Sequence, residues 1–202
     1  AAHLAEAGLT MAVSPLLDSA GDTRAGIYSN GQALDAAYAV LQVTVTHAVN
    51  RIPSARIVVA ENDEVIGSLP LGDSDFFKPG AAIRIAAGYG SKDSTIFEGV
   101  VVSLGLRSGA GGPRLVAECR DKALAMTLGR RSATWADASD SDILSKLIQS
   151  CPGLSASVAA TEPVHKELVQ YEVSDWDFML ARAEANGMVV TVEAEKVTVA
   201  PP

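Results

Sequence analysis

Aromatic residues and cysteines are scarce in this chain of 202 residues. Aromatic side chains account for 5% of the sequence, which leaves little material for an exposed carbohydrate-binding platform. The two cysteines are too few to form a zinc cluster. Cys119 is in phase with Leu115 and Ala117 on a predicted strand, and Cys151 continues the apolar face of a predicted helix. We therefore expect two buried free thiols and no disulfide.

Basic residues and long apolar runs are also few. The chain has 16 Lys and Arg residues against 24 Asp and Glu residues, a net charge of -8. This charge argues against nucleic acid or an anionic membrane as the main partner. No run of about 18 apolar residues could cross a bilayer, and the N-terminus lacks the features of a secretory signal. From these two observations we expect synthesis in the cytosol. The content of 48% hydrophobic residues is enough for a packed core.

The clearest local pattern is a capped helix near the C-terminus. Ser174 and Asp177 have the spacing of a capping signature, and the charge of Asp177 suits the positive end of a helix. Asn186 and Gly187 can close that helix in a left-handed conformation. The apolar face recurs at helical spacing and consists of Trp176, Met179, Leu180 and Ala183.

A second helix is predicted by the same kind of signature. Ser139 precedes Asp142 by three positions, and the helix stops at Pro152 and Gly153. Strands are predicted at 155–159, 166–173, 188–192 and 197–199, with a polar turn at 193–196. From residue 122 onward the order is helix, strand, strand, helix, hairpin, which predicts a small α+β unit.

The first 121 residues predict a β-rich unit. Residues 1–35 contain one expected strand and many loop signals. The strand at 95–107 carries apolar residues on both faces, so we expect a cover formed by another part of the chain or by a neighbouring subunit. The predicted strands span 38–49, 55–60, 82–89, 95–107 and 114–120, with a turn at 61–64 that continues an antiparallel meander and a loop at 72–80 anchored by Phe76 and Phe77.

No pattern predicts a catalytic, cofactor-binding or metal site. The histidines, His3, His47 and His165, are scattered along the chain. We expect His47 to pack near the end of a strand and His165 to lack the partners of a general base. The other candidates are typical of structural roles: Asp140/Asp142 and Asp175/Asp177 start helices, Asp73/Asp75 lacks the other ligands of a calcium loop, and the glycine-rich stretch 109–112 joins two strands.

Five segments, in the same order, are similar to the N-terminal part of VgrG proteins and of the related phage late control D proteins. The resemblance runs from residue 38 to the end and is more specific than any single motif. The segments are VNRIPSARIVV at 49–59, GDSDFFKPG at 72–80, AGYGSKDSTIFEGVV at 87–101, ECRDKALAMTLGR at 118–130 and HKELVQYEVSDWDFMLARAEANG at 165–187.

The resemblance implies a mostly-β chain with two hub domains. The first, at 1–121, would be antiparallel and β-barrel-like. The second, at 122–202, would be a smaller α+β domain that is truncated on its C-terminal side. The implied function is that of a non-enzymatic hub in a contractile injection machine, either a phage tail baseplate or a type VI secretion system.

Such a hub adapts a hexameric tube to a trimeric spike. The implied partners are further copies in a homotrimer, the hexameric tail-tube protein, and a C-terminal spike with its tip protein. No cofactor, nucleic acid or membrane is expected for this region, which would be assembled into a phage tail or a secreted particle. The alternative is a carbohydrate-binding or cell-wall-binding module, with or without hydrolase activity.

Overall fold

The computed structural model describes residues 7–11, 23–61, 71–89, 92–109 and 112–202. These residues form two compact units. The sheet unit contains Ala7–Thr46 and Pro53–Asp121, and the α+β unit contains His47–Ile52 and Lys122–Pro202. The turn at His47–Ile52 thus groups with the C-terminal unit, although it is flanked along the chain by strands of the sheet unit.

One eight-stranded sheet forms the sheet unit, and its described strand pairs are antiparallel. Its spatial order is β1-β4-β5-β8-β7-β6-β2-β3. The predicted mostly-β fold class is confirmed. The strands are β1 (Ala7–Met11), β2 (Thr23–Ser29), β3 (Gln32–Ala33), β4 (Val40–His47), β5 (Ser54–Ala60), β6 (Ala82–Tyr89), β7 (Lys92–Gly109) and β8 (Gly112–Arg120).

Alternating apolar residues of these strands meet in one core. Ile27 of β2, Val43 of β4 and Ile85 of β6 are each at most 3% exposed and belong to the same cluster. Because β2 and β4 lie far apart in the strand order, the sheet must curl to enclose this shared core. Cys119 of β8 lies in the core as a free thiol, as predicted. Phe77, in the loop before β6, is also fully buried there.

Two predictions for this unit were wrong. The meander does not continue after β5, because β5 pairs with β8 and not with β6. Alternation along a strand fixes which residues face inward, but not which distant strand lies alongside. The single strand expected at 1–35 is too few, since β1, β2 and β3 all lie there. The turn predicted at 61–64 falls largely outside the described residues.

The long strand β7 has two different halves. Its first half pairs with β6 as far as Val100, whereas residues beyond Val101 pair only with β8 within the described ranges. A glycine is required near the point where the pairing of β7 with β6 ends and its pairing with β8 begins. A Cβ atom on Gly99 would overlap the carbonyl oxygen of Arg120 and lie 2.8 Å from Phe97 Cζ. The missing side chain of Gly99 therefore allows β7 to approach β8 closely.

The α+β unit contains all of the elements predicted for it and two that were missed. The missed elements are a 3-10 helix at Lys122–Thr127 and the strand β9. Sheet β10-β13-β12 includes the predicted hairpin, with β10 parallel to β13, while β9 and β11 form an antiparallel two-stranded ribbon. The remaining bounds are β9 (Arg131–Ser139), α1 (Asp140–Gln149), β10 (Ser155–Val158), β11 (Val164–Val173), α2 (Asp175–Ala185), β12 (Val189–Glu193) and β13 (Lys196–Ala200).

Both helices begin as the sequence predicts. The amide of Asp142 donates to Ser139 Oγ at 3.2 Å, and the amide of Ser139 donates back to the Asp142 carboxylate at 3.2 Å. At α2, the amide of Asp177 donates to Ser174 Oγ at 3.1 Å. These bonds satisfy amides that a helix start leaves without backbone partners. Gly187 closes α2 with φ of 65°.

The turn at His47–Ile52 is bonded to β12 through one asparagine. The amide of Asn50 donates to the carbonyl of Val190 at 2.7 Å, and the amide of Val190 donates to Asn50 Oδ1 at 2.8 Å. Asn50 adopts φ of 60°, a conformation that asparagine tolerates better than most residues. Across the described ranges, no helix has the length and apolar character that a membrane span requires.

Candidate functional site

Within the described residues, His165 lies in a cluster of charged side chains. His3 lies outside the described residues, and His47 is partly buried at the end of β4. His165 Nε2 is 3.2 Å from Asp140 Oδ2 and 3.5 Å from a guanidinium nitrogen of Arg182. These partners could not be predicted from sequence patterns, because Asp140 and Arg182 are 25 and 17 residues away from His165.

Asp140 is the centre of this cluster and is 3% exposed at the start of α1. Arg182 binds it with two hydrogen bonds, from Nε to Oδ1 at 2.6 Å and from Nη2 to Oδ2 at 2.8 Å. Asn186 Nδ2 donates to Oδ2 at 2.9 Å. Together with His165, these contacts join the start of α1, the end of α2 and the strand β11.

The protonation state of Asp140 follows from these contacts. Burial acts to raise the pKa of Asp140, but hydrogen bonds from Arg182, Asn186 and His165 outweigh it and hold the pKa far below its usual range. A carboxylate offers about four acceptor positions, and here four nitrogen atoms lie against it. Asp140 is therefore an ionised structural centre with little capacity left to contact a substrate or transfer a proton.

The other acidic pairs also have structural positions. Asp175 accepts from Arg131 Nε at 2.6 Å and from Gln170 Nε2 at 2.8 Å. Asp75 forms an exposed ion pair with Lys78 at 3.2 Å. Among the described residues, no three His, Cys, Asp or Glu side chains are grouped so as to hold a metal ion.

Aromatic side chains are mostly engaged in packing. Trp176 is 5% exposed, and Trp135, which has no role assigned from the sequence, packs against the core of the α+β unit. In the sheet unit, Arg84 stacks on the ring of Tyr28, 3.8 Å from its centre. Among the residues whose burial is described, Tyr171 is the one large exposed aromatic residue. A single tyrosine is a poor basis for an aromatic platform.

Exposed apolar side chains provide a stronger candidate site, because they are concentrated on two surfaces. The first surface, named the arm, is the outer part of the β7–β8 hairpin at 102–109 and 112–114. The second, named the ribbon face, is the outward side of the β9–β11 ribbon. Val102 and Leu106 lie on the arm, and Val169 and Tyr171 lie on the ribbon face. Val164 at the start of β11 and Leu128 before β9 are exposed nearby in the sequence, and the exposures of all six residues range from 37% to 75%.

The sequence predicted that both faces of the strand at 95–107 would be covered, either by this chain or by a neighbouring subunit. Phe97 and Val101 are buried in the core of this chain. Val102 and Leu106 remain 37% and 50% exposed. The chain itself thus covers one part of β7 and leaves the arm uncovered. The exposed ribbon face was missed, because β9 was not predicted and the burial of β11 could not be assigned without it.

Solved structures of tail proteins have the same fold. The 43 kDa tail protein of prophage MuSo2 from Shewanella oneidensis superposes with a TM-score of 0.68 at 11% identity, over 89% of this chain and 53% of that protein. A tail protein from Neisseria meningitidis MC58 gives a TM-score of 0.64 at 14% identity, over 88% and 50%.

A type VI secretion component gives a similar result. The E. coli c3393 protein, described as structurally similar to the T4 tail proteins gp27 and gp5, superposes with a TM-score of 0.60 at 13% identity, over 85% of this chain and 48% of that protein. The chain thus has a VgrG-like or baseplate-hub-like fold, as the sequence resemblance implied. It spans about half the length of each of these proteins.

The family follows from a match to the sequence itself. Residues 20–202 match the Alg8 N-terminal domain, and the chain belongs to this family. A comparison with curated proteins finds no match to the sequence.

Proposed function

We propose that this chain is a structural component of a contractile injection particle of the phage-tail or type VI secretion kind. The observation that carries the proposal is the fold, which is shared with two tail proteins and a secretion-system component over 85% to 89% of the chain. Fold alone does not define function. The described residues add support in two ways. Apolar side chains of β7 and β11 are exposed, and the buried carboxylate of Asp140 is fully bonded to Arg182, Asn186 and His165.

The finer proposal is a homotrimeric hub between a hexameric tail tube and a spike. Exposed apolar surface on two separate parts of the chain is typical of a subunit that is covered by neighbours in an assembly. We further propose that the two hub domains span 1–121 and 122–202. In this proposal the chain is made in the cytosol and becomes part of a phage tail or a secreted particle.

No catalytic role is proposed. Asp140 and His165, the acid and histidine that lie together, are held by Arg182 and Asn186. Both thiols are also poorly suited to nucleophilic attack, since burial raises the pKa of Cys119 to about 12 and burial likewise raises the pKa of Cys151.

Light scattering of the purified 202-residue chain tests this function. We expect a concentration-dependent trimer. Native mass spectrometry with a hexameric tail-tube protein then tests the adaptor role, for which we expect one trimer on each hexamer. A chain that stays monomeric at all concentrations contradicts the hub proposal. A monomer that also binds cell-wall glycan would favour the carbohydrate-binding alternative.

A further inference from the structure

The arm of β7 has an unpaired backbone edge as well as exposed apolar side chains. The last residue of β7 that pairs with β6 is Val100, opposite Ala82. Val101 is still bonded on that side, to the backbone of Gly80 and Ala81. From Val102 to Gly109, the side of β7 away from β8 has no strand partner in the described ranges. An open strand edge presents amide and carbonyl groups that can pair with another chain. Val102 is 37% exposed on the outward side of β7, and Leu106, opposite Leu115, is 50% exposed on the core-facing side.

The arm is also basic within an acidic protein. No Asp or Glu occurs between Glu98 and Glu118, whereas Arg107 and Arg114 both lie there. The register places Arg107 directly opposite Arg114, and both are exposed. Like charges at opposite positions destabilise a strand pair unless an acidic group lies nearby. The sequence of the arm itself supplies no such group.

The ribbon face has the complementary character. Leu168 and Gln170 of β11 point towards the core, so Glu167, Val169 and Tyr171 alternate on the outward side. Glu167 is the charged residue of this series, and the β9 residues opposite Glu167 and Val169 are the uncharged Ala136 and Thr134. The ribbon also has two strands only, so each of β9 and β11 has one edge without a strand partner in the described part of the chain.

We propose that the arm of one copy of this chain docks on the ribbon face of the next copy. Val102 would be covered by Val169 and Tyr171, and Arg107 would lie against Glu167, since Val102 follows the buried Val101 and so faces the same side of β7 as Arg107. Contact between two different surfaces is heterologous, and such contacts close into rings when the rotation permits. In a chain of net charge -8, pairing a basic with an acidic surface also overcomes the general repulsion between copies.

This inference rests on the proposed function, since it names the surfaces through which the hub would assemble. Charge reversal on the full 202-residue chain tests it by sedimentation equilibrium at low and high salt. We expect Arg107→Glu and Glu167→Lys each to weaken trimer formation at least tenfold. The double variant restores opposite charges and is expected to assemble within threefold of the original chain. High salt would reduce these differences.

Matched reversals serve as controls. Arg51→Glu, on the turn at His47–Ile52, and Glu184→Lys, on α2, alter exposed residues that belong to neither surface. We expect both to assemble within threefold of the original chain. Urea unfolding and circular dichroism of every variant separate lost assembly from lost folding.

The outcomes distinguish the two proposals. An original chain that never assembles overturns the proposed function and this inference with it. A trimer that is unaffected by both single reversals overturns the docking inference alone. The docking inference is also overturned if both single reversals weaken assembly but the double variant does not restore it, because Arg107 and Glu167 would then not face one another.

Discussion

The sheet unit and the α+β unit differ in where their stabilising contacts lie along the sequence. In the sheet unit, β5 pairs with β8 across more than fifty residues, as in the pair Ile57 and Ala117. In the α+β unit, serine caps start both helices locally, and a buried ionic cluster then fixes them around Asp140. Local signals therefore specify the elements of the α+β unit, whereas the sheet unit depends on pairings that only the folded chain displays.

Removing the central carboxylate is expected to have the largest effect. Asp140→Ala leaves Arg182, Asn186 and His165 without their shared acceptor. Breaking a buried ion pair from one side costs about 3 to 5 kcal/mol of unfolding free energy. Urea denaturation followed by circular dichroism measures this loss. Asp140→Ala combined with Arg182→Met removes both charges and is expected to lose less; an equal or greater loss would show that the unpaired arginine is not the cause.

Acid is expected to weaken the same unit. The pKa of folded Asp140 lies below its value in the unfolded chain, so folding favours the ionised form. Its contribution is complete above the unfolded pKa of about 4 and is lost as the pH falls towards the lowered folded value. Between roughly pH 5 and pH 3, the urea midpoint of Asp140→Asn is therefore expected to fall less steeply than that of the original chain. Parallel declines would contradict this assignment.

Within the sheet unit, we expect the most sensitive small residue to be Gly99. Gly99→Ala places a methyl group against the carbonyl of Arg120 and close to the ring of Phe97, so the two strands must move apart. Such overpacking costs about 2 to 3 kcal/mol. Gly105→Ala is a matched control on the same strand, because nothing lies within 4 Å of the added carbon. Thermal unfolding is expected to separate the two variants clearly, and similar losses would refute the close approach.

The helix caps provide a smaller effect that is confined to the α+β unit. Ser174→Ala removes the acceptor for the amide of Asp177 and is expected to cost about 1 kcal/mol. Ser174→Gly is expected to cost only a few tenths of a kcal/mol of unfolding free energy, because glycine is tolerated at a helix cap. Ser155→Ala, at an exposed strand residue, is the control. Equal losses for the alanine and glycine variants in urea denaturation would show that the cap is not responsible.

How well the sequence predicted each unit depends on how far apart along the chain the interacting residues lie. Capping serines, the closing Gly187 and the hairpin after it act over a few residues, and all were found. The strand β9 was missed because its apolar character is weak and its partner β11 lies about thirty residues away. The cluster at Asp140 was missed for a related reason. Its carboxylate was correctly placed at a helix start, but the sequence does not reveal that Arg182 and Asn186 reach it from the end of α2.

The smallest expected effect comes from an arginine–carboxylate pair of the sheet unit. Arg56 and Glu118 face each other on neighbouring strands at 3.5 Å, with side chains 45% and 44% exposed. The pair Arg182 and Asp140 has the same chemistry at 2.6 Å, with exposures of 22% and 5%. A double-mutant cycle on the exposed pair is expected to give a coupling below about 1 kcal/mol that decreases with added salt.

The same cycle on Arg182 and Asp140 is expected to give a coupling several times larger and less sensitive to salt, because the buried carboxylate is shielded from mobile ions. Measuring both cycles in one protein keeps the residue types constant and varies their surroundings. If the two couplings are equal, burial does not explain the difference between the units. The stability of the α+β unit would then have to come from its apolar core and its helix caps, with the cluster at Asp140 contributing only orientation.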